Sequence, residues 1–557
     1  MRRFPAVLVA VLAVGAAGCK APDAPPSTGA AGSALVATGT EGLGPHRRTV
    51  TTSSPAAQAE FDRGLAYLYG FNHDEAIRAF TRATEHDPAC AMAWWGLAYA
   101  HGPHINNPAV PEERARAAWE ALGKAREHVA NGTEAERALV EALAARYAWP
   151  PPEDRAPLDA AYAEAMRAAL RRHPEDADLG ALAAEAMMDV HPWDLWHPDG
   201  TPQPWTGEIV STLEGVLARA PSHPLATHLY IHAVEASADP GKADAAADAL
   251  RDLMPGLGHM VHMPSHIDVR RGRWREAIEA NTRAMAADHA YQARVPEQQF
   301  YRVYMAHNHH MRAFAAMMLG RSALALESVR EMVAEMPAEW LEQNALAADG
   351  WAAMPLEVLM RFGRWQEILA EPEPAAYLPL TRALRHYARG VAYAAQGKLD
   401  EARAEQADFE RARARVAEEA TFGNNPSHAL LGVAEALLDG EILVRGGHAE
   451  RGLERLREAV RREDALRYDE PPDWIQPVRH ALGAALLANG RHAEAEEVFR
   501  ADLARLPGNG WALFGMGRAL RLQGKDREAE RYEAEFRAAW AEADVEIDSP
   551  CFCQRGV

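Results

Sequence analysis

A set of small, aromatic and proline residues constrains this chain more than anything else in it. Gly64, Tyr67, Ala76, Phe80, Ala83 and Pro88 stand at the offsets of a helix pair that recurs about every 34 residues. A unit started at Ala57 puts the next at Ala91, and Trp94 and Leu97 then fall in its apolar slots. One helix pair cannot bury its apolar face alone, so successive pairs must stack, and the stack curls into a superhelix. The composition agrees: from Gln58 onward Ala, Leu, Glu and Arg dominate, Gly marks turns, and β-branched runs are few. The expected fold is all-α, a superhelical solenoid of repeats with loop insertions.

The register returns downstream. Ala243 and Pro255 fit a unit starting at Pro224; Gly272, Trp274, Glu276, Ala277 and Ala284 fit one at Gly258; Gly320, Ala325 and Pro337 fit one at Ala306. Gly390, Tyr393, Gly397 and Ala402 fit a start at Ala383, and Gly483, Gly490, Ala495, Phe499 and Pro507 a start at Gln476. Weaker units start near Asp349, Val433 and Gly510, which makes ten. The pattern resembles the tetratricopeptide repeat along the whole body of the chain. It divides into N-terminal repeats with two insertions (56–220), histidine-rich central repeats (221–345), C-terminal repeats (346–545) and a tail (546–557).

A targeting signal precedes the repeats. Arg2 and Arg3 lead into an apolar run from Phe4 to Ala16, too short to span a bilayer, which ends Ala17-Gly18-Cys19. This resembles a bacterial lipoprotein signal, with Ala16 standing where Leu is common. The resemblance implies a signal peptide over 1–18, lipidation of Cys19, export, and anchoring to the outer membrane facing the periplasm. An ordinary cleaved signal with a free cysteine is the alternative. Residues 19–55, rich in Ala, Pro, Gly, Ser and Thr, read as a flexible tether. With 59 basic against 79 acidic residues the formal charge is −20, which argues against nucleic acid as a partner. The only expected membrane contact is the lipid anchor.

Histidine is unevenly spread: residues 191–310 hold 12 of the 24, where an even spread gives about five. His228 and His232 are i,i+4, with Glu235 three further on; His259, His262 and His266 are i,i+3 and i,i+7; His307 and His310 are i,i+3. Such offsets place rings on one helix face, suited to sharing a metal ion. The tetratricopeptide resemblance implies that the second, fifth, ninth and twelfth residues of each first helix line the concave groove. His228, His232, Glu235, His259, His262, His266, His307 and His310 all take such positions. The metal expected is copper, because eight of the 18 methionines lie between Met254 and Met318; iron or zinc suits the imidazoles equally.

Two insertions carry unusual chemistry: His101-Gly-Pro-His104-Ile-Asn106-Asn107, and His191-Pro-Trp193-Asp194 running on to Trp205. They could wall the groove as a lid, with His101, His104, His191 or Asp194 behind the ligands, or be proline-rich packing loops. Glu185 and Asp189 precede the second insertion, as a general base or a solvated face. Cys551-Phe-Cys553 could bind a soft metal, close a disulfide, or lie in a disordered tail, and Cys90 reads as buried packing. Gly258-His-Met-Val-His-Met-Pro-Ser-His266 and Asp469-Glu-Pro-Pro-Asp-Trp-Ile-Gln-Pro477 are similar to segments of a group of exported bacterial tetratricopeptide lipoproteins. That resemblance implies the repeat fold and no particular reaction.

The function expected is an exported metalloprotein whose histidine-lined groove binds a transition metal. It would be a metal-dependent oxidoreductase or hydrolase acting on a small molecule or peptide, with Glu235 as ligand or general base. The alternatives are a lipid-anchored interaction scaffold that takes a protein partner in the groove, and a metal storage or delivery protein.

Overall fold

The computed structural model describes residues 42–554 and 556. The signal peptide, Cys19 and the first part of the tether lie outside the described residues. First helices begin at Pro55, Ala91, Glu134, Ala177, Pro224, Gly258, Arg302, Ala345, Pro379, Ser427, Val478 and Gly510, giving twelve helix hairpins among the described residues. Ten of these match an expected start to within six residues. The hairpins at Glu134 and Ala177 are additional. Their helices are joined through the proline run 150–152 and the insertion 191–205, which stretch the period beyond recognition.

The marker residues pack as their spacing requires. The Phe80 ring occupies the space a Cβ would need at Gly64 and Gly96, and the Phe499 ring does the same at Gly483 and Gly515. Each aromatic thus fills the gap between its own hairpin and the next. The chain is an all-α solenoid of the tetratricopeptide kind. Its one described β-sheet is a two-residue hairpin, Thr421–Phe422 against Asn425–Pro426, with Phe422 opposite Asn425; isolated bridges His104–Asn107 and Trp196–Pro202 lie in the two insertions.

The solenoid makes two closed turns that share its middle. In the first, Gly256 donates its N–H to the Gly42 carbonyl (2.9 Å) and Tyr291 donates its hydroxyl to Glu75 (3.1 Å). In the second, Trp274 Nε1 donates to the Pro507 carbonyl (2.9 Å) and Trp511 Nε1 to that of Met317 (2.7 Å). Gly272, at φ 72°, lies so close to the Pro507 carbonyl that no side chain fits there. The apolar core follows this division, with one cluster running from Leu43 to Met305 and another from Val269 to Ala539. They meet at the Gly258–Arg270 segment, where Met260, Met263 and Ile267 face the first and Val269 the second.

Both ends differ from expectation. Residues 42–54, assigned to the tether, lie packed along the solenoid: Leu43 and Val50 are buried, Arg48 pairs with Asp176 (2.8 Å) and Asp178 (3.0 Å), and Thr51 bonds Glu136. Loop-like composition conceals these specific polar partners. The tail is equally ordered, because Phe552 packs against Trp511 and Gln554 donates to Glu441 (3.1 Å), with Cys551 and Cys553 joined in a disulfide. Cys90 is buried packing, as expected.

Candidate metal centre

Three successive hairpins supply the histidines. Helix Pro224–Val234 begins on a proline at its first turn, and His223 caps it by accepting the Ala226 N–H (3.2 Å). It carries His228 and His232 inward, with Glu235 at its end. Helices Gly258–His262 and Pro264–Arg270 join through Met263 in helical conformation, so His259, His262 and His266 stay on one face despite the proline. Helix Arg302–Met318 contributes His307. His228, His232, Glu235, His259, His262 and His266 are 0–7% exposed; His307 is partly exposed.

Four of these rings are tied at Nδ1 to oxygen acceptors. His228 Nδ1 donates to the Tyr69 carbonyl (2.8 Å), His232 Nδ1 to Glu235 Oε1 (2.8 Å) and His266 Nδ1 to Glu235 Oε2 (2.6 Å). His262 Nδ1 donates to Asn281 Oδ1 (2.7 Å), whose amide is oriented by its own bond to the Ala277 carbonyl (2.8 Å). A neutral imidazole with hydrogen on Nδ1 carries its lone pair on Nε2. Those Nε2 atoms converge: His262 and His266 approach to 2.7 Å, and His228 lies 3.1 Å from His259 Nε2. The His307 ring stands 4.7 Å from that of His262. Ligand atoms of His228, His232 and His259 lie within 4.8 Å of one another, as do those of His262, His266 and His307.

Burial holds His228, His259, His262 and His307 well below the usual imidazole pKa, and the neighbouring histidines add to the effect. Burial lowers His232 as well, against the pull of Glu235. His266 is raised; burial opposes this, but the Glu235 carboxylate prevails. Burial would also raise Glu235, yet His266 and His232 hold it at about 2. The centre is thus one carboxylate among imidazoles that are mostly neutral, the protonation state in which histidine binds metal.

The surroundings differ from the expected lid in detail. The insertions meet where Trp193 Nε1 donates to Asn106 Oδ1 (3.0 Å), and the Trp193 ring stands edge-on to His232 at 5.1 Å. Phe71 covers the other side, 4.4 Å from His228 and 5.8 Å from His259. Phe71 (φ 56°) and Trp193 (φ 58°) are the described non-glycine residues with positive φ. Backbone strain of about 1–3 kcal/mol at each is sustained where it shapes the walls of the centre. His104 is buried behind Phe71, against His73. His191 stacks on Trp205 (3.4 Å), Asp194 is exposed and accepts from Gln203 (3.1 Å), and His101 is half-buried. His310 turns toward Phe422, 6.0 Å away, because residues i and i+3 on a helix point roughly 60° apart.

Several participants carried no histidine signal: Tyr69, Phe71, Asn281, and the Tyr468–Asp473 loop. Tyr468 donates its hydroxyl to Glu470 (3.0 Å) and lies 3.3 Å from Glu235 Oε2. The prolines and carboxylates of Asp469–Pro477 were the available clue. A cavity of ≈ 390 Å³ opens between this loop and the second insertion, lined by Trp193, Trp196, His232, Glu235, Arg270 and Tyr468 among others. Met260 and Met263 fill the N-terminal apolar core and Met311 the C-terminal one, so the methionines that pointed to copper serve as packing. Glu185 and Asp189 are neither a base at the centre nor a solvated face: Glu185 accepts from Tyr99 (2.7 Å), and Asp189 pairs with buried Arg146.

A second group, His46, Asp178 and His223, has the residue types of a metal site but the wrong protons. His223 Nδ1 accepts the Ala226 N–H, so its Nε2 carries hydrogen and donates to Asp178 (3.1 Å). Asp178 also accepts from Tyr69 (2.6 Å) and Arg48 (3.0 Å), making this a hydrogen-bonded latch for the N-terminal segment.

No protein-family model and no curated protein matches the chain. Among solved structures, the human IFIT1 dimer with m7Gppp-AAAA is 12% identical over 81% of this chain and 90% of that one, with a TM-score of 0.32. The P58(IPK) TPR domain is 13% identical over 85% and 99%, with a TM-score of 0.20. The APC/C hetero-tetramer Cut9-Hcn1 is 12% identical over 88% and 78%, with a TM-score of 0.30. The assignment to the tetratricopeptide-like solenoids rests on the helix hairpins and their glycine–phenylalanine packing.

Proposed function

We propose that the protein is an exported, lipid-anchored metalloprotein holding transition metal among His228, His232, His259, His262, His266 and His307. One observation carries this reading: the Nε2 atoms of His262 and His266, both rings tied at Nδ1 to oxygen, face one another at 2.7 Å inside the solenoid, and His228, tied likewise, faces His259 at 3.1 Å. Facing lone pairs repel unless a proton or a cation lies between them. An imidazole donor set with a carboxylate behind it suits zinc, iron or copper. Trios of nitrogen ligands leave coordination positions open, which separates a reactive site from a closed structural one. The adjoining cavity admits a small molecule to His232, so metal-dependent hydrolysis or oxidation is the favoured activity, the metal polarising substrate or lowering the pKa of a bound water. Both Glu235 oxygens are engaged by ring N–H groups, which makes it an orienting residue in preference to a free base.

A scaffold role would use the cavity mouth and outer faces, since the histidines themselves are inside. Elemental analysis of the purified chain beside a His262→Ala/His266→Ala variant tests the proposal. Stoichiometric metal in the wild type, lost from a still-folded variant, supports it. Wild-type protein that holds no metal after reconstitution with zinc, iron and copper in turn overturns it and leaves the scaffold.

A further inference from the structure

We propose that the centre holds two metal ions side by side, one on His228, His232 and His259, the other on His262, His266 and His307. This inference rests on the metal reading above and goes beyond it in the number of ions, the division of the ligands and the role of Glu235.

The division is in the ligand atoms, which within each trio all lie within 4.8 Å of one another. Within the second trio the ring centroids stand 4.7, 4.7 and 5.6 Å apart. Within the first, His228 is 4.9 Å from His259 and 5.1 Å from His232, and stands between these two rings, which are 6.4 Å apart. Between the trios, His259 and His262 are 6.0 Å apart, and His232 and His266, the two rings that Glu235 holds at Nδ1, are 5.4 Å apart. Nitrogens bound to one ion at about 2.0–2.1 Å stand roughly 3–3.5 Å from each other. The contacts of 3.1 Å in the first trio and 2.7 Å in the second come near that spacing, one in each.

Glu235 is the link. Its Oε1 takes the Nδ1 hydrogen of His232 and its Oε2 that of His266, one ring from each trio. A single carboxylate therefore fixes the tautomer on both sides and lends one negative charge to both ions. Tyr468 and Glu470 stand behind it. A single ion taking all six imidazoles would have no position left for water or substrate, although the cavity reaches His232 and Glu235. Two ions with three imidazoles each stay open toward a shared oxygen donor, the arrangement in which paired metals activate a small oxygen-bearing substrate.

The test is stoichiometry on the purified chain, stripped with chelator and titrated with zinc and, separately, with Cu(II). Two zinc ions per chain are expected in the wild type, and one in each of His228→Ala/His259→Ala and His262→Ala/His307→Ala. With Cu(II), the paramagnetic resonance intensity should grow to one equivalent and then fall as the second ion couples to the first. One ion in the wild type and none in either folded double variant would overturn the two-ion centre while leaving a metal site. No ion in the wild type would overturn the metal reading itself. The wild-type titration and its resonance signal decide the matter even where a variant does not fold, which circular dichroism reports.

Discussion

Replacing Glu235 by glutamine keeps the size of the side chain and removes its symmetry as an acceptor. The carboxylate accepts from two ring nitrogens at once, His232 at 2.8 Å and His266 at 2.6 Å. Glutamine has one oxygen and one NH2 group, so it can accept from only one of these rings. The other ring meets a donor, must offer Nδ1 as an acceptor, and so carries its hydrogen on Nε2, the nitrogen needed by the metal. Groups that orient metal-binding histidines are typically worth 10–100-fold in affinity, or about 1.4–2.7 kcal/mol. Glu235→Gln should therefore weaken one of the two sites by that factor and leave the other close to wild type. Glu235→Ala, which deprives both rings, should weaken both. Competition against a colorimetric zinc chelator resolves the two affinities. Wild-type affinity at both sites in Glu235→Gln would refute the argument, because no tautomer could then depend on this carboxylate.

Burial pushes His310 down to about 3, so the folded chain keeps it neutral while the unfolded chain protonates it near pH 6.5. Folding stability should fall as pH drops below 6.5, by about 2 kcal/mol from this residue at pH 5, and go on falling toward pH 3. The His310→Leu variant should show a shallower slope in urea unfolding at pH 5–7, and an unchanged slope would count against the buried, unpartnered ring. Phe80→Ala, which empties the space between Gly64 and Gly96, should cost about 3–5 kcal/mol, and Gly96→Ala, whose new methyl meets the Phe80 ring, about 1–3 kcal/mol. Calorimetric melts should rank the two in that order. Arg48→Ala removes a half-buried cation from Asp176 and Asp178, for about 2–3 kcal/mol, between the exposed and buried cases. Limited proteolysis should then cut within residues 42–54; resistance equal to wild type would mean the latch does not depend on this pair.

Local markers explain how far the fold could be read. Hairpins announced by a glycine opposite a phenylalanine, or by a closing proline, were legible because their packing is local and periodic. The hairpins at Glu134 and Ala177 were not, since long connections break the period and no Phe80-like residue marks them. The order of residues 42–54 was equally hidden, because Arg48 finds Asp176 and Asp178 more than a hundred positions away. In the centre, helical spacing and the repeat register singled out His228, His232, His259, His262, His266 and His307, and the structure brings their rings together. That register misplaced His310, where one further step around the helix leads to Phe422. It could not supply the oxygen partners at Nδ1, of which Tyr69 lies 159 positions from His228.

Protein interiors leave few polar atoms without a partner, and each costs about 1–3 kcal/mol. Among the atoms of this kind in the chain, His232 Nε2 and His259 Nδ1 are buried and unpartnered in the centre, and His73 Nε2 and His104 Nδ1 lie just behind Phe71. The seam between two apolar clusters is where leucine or phenylalanine would bind the turns of the solenoid together most cheaply. Instead the chain fills it with imidazoles, satisfies one nitrogen of most rings with oxygen, and strains Phe71 and Trp193 to close the walls. Local rules broken together at one place are expected at functional sites, which is the ground for the proposal of a bound cation. On the proposed metal reading, a cation between the Nε2 atoms would turn facing lone pairs from repulsion into coordination, and would account for both the burial and the orientation of the rings.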